Sequence, residues 1–265
     1  MKYGGGMNEL PYPSDLTAAQ WALIEPLLPA PKPKGRKRRV DLRKITNAIL
    51  YVLKGGISWR MLPREFAPWK TVYHYFRLWR LAGLWDLIHD QLRDQVRVSK
   101  VRHNLSERSN CGQPKRGNAA KGGDRGYDAA KRTKGRKRHI VVDVLGLILA
   151  VAVTGANVQD RDGGQSVLKG LKDRFPRLAR VWADGVYAGR LVEWAEKTAQ
   201  FVLDIVCKPK GQIGFSVLPW RWIVERTFAW LGNYRRLARD YEISPHTSEA
   251  WIKIAMIHLM VRRLA

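Results

Sequence analysis

His139-Ile140-Val141-Val142-Asp143-Val144 and Leu147-Ile148-Leu149-Ala150-Val151-Ala152-Val153 are two β-rich runs separated by Leu145-Gly146. β-branched residues on both sides of a two-residue connection predict a β-hairpin. Towards the C-terminus the period changes. Residues 163–173 offer Val167, Leu168 and Leu171 as a helical face, 178–184 form a strand ending at Gly185, 190–199 read as helix and 201–207 as a buried strand. Residues 219–231 follow as a helix with Pro219 in its first turn, and 248–264 as a closing amphipathic helix. Hairpin, helix, strand, helix, strand, helix is a mixed α/β plan, a sheet covered by helices. Residues 139–265 are therefore expected to form one domain.

The N-terminal third is different. Leu16, Trp21, Ile24, Leu27 and Leu28 recur at helical spacing before Pro29, and Leu42, Ile45, Ile49, Leu50 and Leu53 do so before Gly55-Gly56. A segment from Pro68 to Arg80 and another over 84–96 add two helices. Residues 1–97 thus predict a small all-α, helix-turn-helix-like domain. Residues 98–138 are polar and basic without a convincing period, and are expected to be a basic linker with a degenerate first-strand region.

Charge narrows the partner. Lysine and arginine number 48 against 23 acidic residues among 265, a formal net charge of +25. Such an excess implies a polyanion. No apolar run approaches the roughly 18 residues of a spanning helix, and no secretory leader precedes the first helix. The expectation is a cytoplasmic, nucleoid-associated protein that binds double-stranded DNA and no membrane. Cys111 and Cys207 are isolated, so neither a disulfide framework nor a zinc site is supported. Three basic features offer phosphate contacts. They are the loop 30–39, Lys70 and Arg77 on the aromatic helix, and Lys134, Arg136, Lys137 and Arg138 before the hairpin. Each has a plainer reading, as solvated charge or, for Tyr73, Phe76 and Trp79, as core.

Two carboxylates stand out. Val181-Trp182-Ala183-Asp184-Gly185 puts Asp184 at the C-terminal end of an apolar strand, where ligand sites of α/β sheets gather. The alternative is a cap for the next turn. Glu225 lies in the apolar helix Trp220-Arg221-Trp222-Ile223-Val224-Glu225-Arg226-Thr227-Phe228. Arg221, one helical turn earlier, is either its ion-pair partner or a phosphate ligand.

Val181 through Gly189, and Arg221 through Leu231, closely resemble the second-Asp and Glu motifs of DDE transposases of insertion-sequence family five. Gly126-Tyr127-Asp128-Ala129-Ala130-Lys131, Gly135 through Asp143, and Ser248-Glu249-Ala250-Trp251-Ile252 resemble the same family, as does the region from Leu16 to Trp85. The resemblance implies an RNase H-like catalytic domain of the retroviral-integrase superfamily and a divalent cofactor, Mg2+ or Mn2+. It also implies recognition of terminal inverted repeats and a homo-oligomer on DNA. It makes Asp184 and Glu225 metal ligands, Arg221 the arginine of the Glu motif, and Arg226 a DNA contact.

One position departs from the family. The first aspartate, normally followed by Ser-Gln-Ser, falls at Gly112 within Arg108-Ser109-Asn110-Cys111-Gly112-Gln113-Pro114-Lys115-Arg116, a stretch with no strand-like run. Glycine has no side chain to ligate a metal. Read one nucleotide later, codons for Asn110 to Arg116 permit Thr-Val-Asp-Ser-Gln-Ser-Val. The hypothesis is a pair of compensating frameshifts bounding about residues 103–116, and a coding sequence that does not spell the motif rejects it. Strand cleavage is then expected to be impaired with DNA binding retained, unless Asp143 substitutes as ligand. The competing functional readings are a non-catalytic DNA-binding remnant and a basic RNA-binding protein.

Overall fold

The computed structural model describes residues 12–31, 33, 38–100, 108–112, 115–117, 123–129, 132–207 and 220–265. Helices open the fold. α1 (Ala18–Ile24) starts at a capping box in which Thr17 and Gln20 exchange side-chain and backbone hydrogen bonds, and a 3-10 turn at Glu25–Leu27 follows. α2 (Leu42–Gly55) is capped by Asp41, which accepts from the amides of Arg43 and Lys44. It stops at Gly56, whose φ of 70° is left-handed and where a Cβ would lie 2.9 Å from that of Arg235. α3 (Trp69–Leu81) turns Val72, Phe76 and Trp79 inward, and α4 (Leu84–Ser99) buries Leu84, Trp85, Ile88, Leu92 and Val96.

The described residues then form a seven-stranded sheet. β1 (Arg108–Gly112), β2 (Lys115–Gly117) and β3 (Gly126–Asp128) precede β4 (Thr133–Asp143) and β5 (Ile148–Gly155). β4 and β5 are the expected hairpin. β4 carries β1 and β2 on one edge and β5 and β3 on the other, all antiparallel. β6 (Arg180–Asp184) joins β1 in parallel, and β7 (Val202–Val206) joins β6 in parallel. The main path is thus β5-β4-β1-β6-β7, with β1 at its centre.

Two apolar clusters sandwich the sheet. On one face Cys111, Val141, Leu149, Val181, Ala183 and Leu203 pack under α5 (Asp160–Leu168), α6 (Leu171–Arg174), α7 (Arg190–Trp194) and a π turn at Ala195–Ala199. On the other, Ile140, Val142, Ile148 and Val153 pack with α8 (Arg221–Gly232), the short α9 (Arg235–Ala238) and α10 (Pro245–Leu264). The N-terminal helices belong to this second cluster. The rings of Phe76 and Trp251 stack at 4.5 Å, and Trp59 lies 5.6 Å from Trp251. The helical third and the sheet therefore share one core.

Residues 98–138, expected as a linker with a degenerate first strand, hold strands among the described residues. They include three short strands and the start of β4, and β1 is deeply enclosed, with Ser109, Asn110 and Cys111 at most 5% exposed. Arg-Ser-Asn-Cys-Gly has no β-former signature. Strand form is imposed there by ladders on both sides, which sequence propensity cannot register.

The basic cluster ahead of the hairpin is also reassigned. Arg136, Lys137 and Arg138 lie on β4 and are almost wholly buried. Arg136 donates to the carbonyls of Asp124, Glu242 and Ile243 and pairs with Asp240. Lys137 donates to Asp160 and to the carbonyl of Val158, and Arg138 to the carbonyl of Leu237. These cations pin β4 to neighbouring elements, so the expected phosphate contacts do not apply to them in the folded chain. Lys134 is exposed. Lys131 and residues 32 and 34–37 of the basic loop lie outside the described residues.

Candidate active site

β1 and β6 run side by side, with Arg108 opposite Arg180, Ser109 opposite Val181 and Asn110 opposite Trp182. Continuing that register by two residues sets Gly112 level with Asp184. Side chains alternate across a strand, so Asn110, Gly112, Trp182 and Asp184 share the face opposite Cys111, Val181 and Ala183. That face looks at α8, whose Val224, Glu225 and Phe228 meet the strand ends to enclose a cleft. Asp184 and Glu225 line this one cleft although 41 positions separate them in sequence. It opens at the C-terminal ends of two parallel strands, where open α/β sheets place ligands.

Each carboxylate is held by its element. Asp184 ends β6 and its side chain accepts from the amide of Val186 at 3.2 Å, capping the 3-10 turn Gly185–Tyr187. The capping and cleft-lining readings of this residue are therefore compatible. Glu225 is exposed on α8. That helix is fixed from behind, because the Thr227 hydroxyl donates to the carbonyl of Gly146 at 2.9 Å. Gly146 has φ of 80°, and a Cβ on it would meet the Trp230 ring at 2.9 Å, so the hairpin turn and α8 can approach this closely only with glycine. Arg226 donates to the carbonyl of Leu145 and lies over both Trp222 and Trp230. Arg221 opens α8, and its side chain falls outside the described set.

The third wall of the cleft lacks a carboxylate. Gly112 stands there, and a Cβ on it would come within 2.6 Å of Val224 Cγ1. Two residues earlier, Asn110 is 1% exposed and neither polar atom of its amide has a hydrogen-bond partner among the described residues. Leaving a buried polar group unmatched costs about 1–3 kcal/mol. Sequence reading missed Asn110, along with Val224 and Phe228. The period-2 rule could have found Trp182, two positions from Asp184. Trp182 stacks on Trp220 at 5.0 Å with planes 9° apart, and Trp220 is held at φ of 69°.

Asp143 does not stand in for the absent carboxylate. It pairs with Ser109, at the opposite end of β1 from Gly112, some three residues or about 10 Å along the strand. It is fully buried, ion-pairs with Arg97 at 2.5 Å and accepts from the amides of Leu145 and Leu147. Its oxygens are committed to the hairpin turn. Beneath the other face of the sheet, burial pushes the Cys111 thiol up to about 12 and pulls the His139 imidazole down to about 4. A protonated thiol and a neutral ring at neutral pH make these packing groups, with Tyr187 bridging them.

The donor set limits what the cleft can hold. Magnesium takes oxygen ligands and is commonly bound by one or two carboxylates with several waters, so Asp184 and Glu225 fit one such ion. Two ions about 3.5–4 Å apart need carboxylates on more than two sides. Among the described residues no group of three or more His, Cys, Asp or Glu could hold a metal. The charged contacts expected on α3, Lys70 and Arg77, are exposed on that helix, away from Phe76 and Trp79. No helix among the described residues is long and apolar enough to cross a membrane.

Comparison with known proteins agrees along the chain. A family model described as "Putative transposase of IS4/5 family" matches residues 16–89, and one described as "Transposase DDE domain" matches residues 95–260. Over 131 residues the chain is 32% identical to the Burkholderia cepacia protein named "Putative transposase for insertion sequence element IS402", an overlap of 45% of this chain and 60% of that protein. Over 85 residues it is 42% identical to the "Insertion element IS402 uncharacterized 16.2 kDa protein" of the same organism, covering 30% of this chain and 58% of the relative. The matched regions thus span about three fifths of the length of these curated relatives. No solved structure matches the chain.

Proposed function

We propose, from the premise that this chain belongs to the DDE-domain transposases of insertion sequences, that it binds the terminal inverted repeats of its element through a cleft whose strand-cutting chemistry is impaired at Gly112. Its sheet is the RNase H-like mixed sheet of that domain. The observation that carries the reading is the meeting of Asp184 and Glu225, from a strand end and a helix, in one cleft beside β1. Asp184 and Glu225 would hold Mg2+ or Mn2+, which when bound relieves charge at the phosphorus and lowers the pKa of the attacking hydroxyl. The chain's own part is to position the DNA. Lys70 and Arg77 on α3, Lys134 on β4 and Arg226 on α8 supply cations for backbone phosphates, and Arg221 is assigned to the reacting strand. Assembly as a homo-oligomer on DNA belongs to the same proposal.

The non-catalytic alternative is favoured by one observation, the Val224 methyl standing where a Gly112 side chain would begin. A nicking assay on inverted-repeat duplex with Mg2+ separates the two. The expected outcome is retained binding with cleavage at background for the chain as it stands. Gly112→Asp with Val224→Ala, which admits the carboxylate, is expected to restore cleavage that Asp184→Asn abolishes again. Ordinary cleavage by the unaltered chain rejects the impairment, and no rescue in the double variant favours the binder.

A further inference from the structure

We propose that Asn110 is a ligand-bearing residue of the cleft, its amide oxygen completing with Asp184 and Glu225 a site for a single hard divalent cation. This rests on the reading of those two carboxylates as cation ligands. Asn110 is buried on the central strand yet lines the cleft, and both its amide oxygen and its amide nitrogen lack partners among the described residues. An amide carbonyl oxygen is a donor of the type that hard cations accept. The nitrogen is left to donate to a cation-bound water or to a carboxylate of the cleft. Apolar residues surround this part of the sheet, from Ile140 and Val142 on β4 to Val224 on α8, so an orphaned amide among them is explained by an occupant of the cleft rather than by packing.

Charge sets the stoichiometry. Two carboxylates balance one divalent ion, and the amide adds an oxygen without adding charge. A second ion would need a further anionic ligand level with Asp184, where Gly112 has none.

The test is Mn2+ binding to the full chain, counted from the electron paramagnetic resonance signal of the free ion and competed with Mg2+. One ion per chain is expected. Asn110→Leu, which removes the donor while keeping the volume, is expected to weaken affinity by about tenfold or more, the scale seen when a group supporting a metal site is lost. Asn110→Asp is expected to tighten it. Unchanged affinity in Asn110→Leu, or two ions per chain, overturns the proposal. Should Asn110→Leu fail to fold, Asn110→Asp decides alone, and no gain in affinity overturns it. Asp184→Asn and Glu225→Gln are expected to abolish binding. Survival of binding in both would sink the carboxylate reading itself, whereas its loss there with wild-type affinity in Asn110→Leu would sink only the role of Asn110.

Discussion

Asp143 and Asp184 are both aspartates at the end of a β-strand, and their surroundings give them opposite tasks. Asp143 is sealed against Arg97 and two turn amides, so Asp143→Ala removes the buried anion that this guanidinium pairs with. A loss of about 3–5 kcal/mol is expected, measured by urea unfolding, and a loss below about 1 kcal/mol would show the pair to be peripheral. Histidines give a second prediction. Burial lowers His139 and His258 to about 4, below the unfolded value of about 6.5. The unfolded chain therefore binds more protons between those values, so stability is full above about pH 6.5 and falls as pH drops towards 4. At pH 5 each ring costs about 2 kcal/mol. Unfolding at pH 7.5 and pH 5 should differ accordingly, and His139→Gln should reduce the difference by about 2 kcal/mol; an unchanged slope refutes the assignment. Asp184 and Glu225 were legible in the sequence because an acidic side chain inside an apolar element demands a reason. Asn110 was not, because its chain neighbours are themselves polar and only the surrounding sheet makes its position a buried one.

Secondary elements divide by how they hold themselves. α2 and the β4–β5 hairpin are announced by caps, period and turn residues; α2 and β5 lie within two residues of expectation, whereas β4 begins at Thr133, six residues before the expected His139. β1 is invisible by those criteria. It is a strand because β4 supplies one ladder and β6 the other, and a ladder contributes whatever side chains it carries. α3 was ambiguous between core and DNA contact, and its two faces differ in exposure. Phe76 and Trp79 fill the core, while Lys70, His74 and Arg77 follow one another along the exposed face. Lys70→Ala with Arg77→Ala is expected to weaken binding of inverted-repeat duplex and to reduce the slope of log affinity against log salt by about 2, roughly 0.9 per phosphate contact. Circular dichroism should be unchanged, and an unaltered salt slope would remove α3 from the interface.

At the scale of the molecule, α10 is the element everything leans on. It packs against α4 and β5, and its Trp251 is sandwiched between Phe76 and the Arg236 guanidinium. A fragment of residues 98–265 would bare this apolar face. It is expected to bind a hydrophobic dye and to lack a cooperative melt, whereas a native-like melt would show that sheet and helical third fold independently. Composition, period and motif were enough to specify a basic α/β protein with N-terminal helices and to single out Asp184 and Glu225 as candidates, because charge excess, amphipathic spacing and isolated acids are properties of the chain itself. Tertiary structure alone decided that the polar stretch around Asn110 is the central strand, that Arg136, Lys137 and Arg138 are interior pins, and that Gly112 stands level with Asp184 under Val224. Those facts depend on which segments lie side by side, and hydrogen-bonded pairing between distant segments leaves little trace in local sequence.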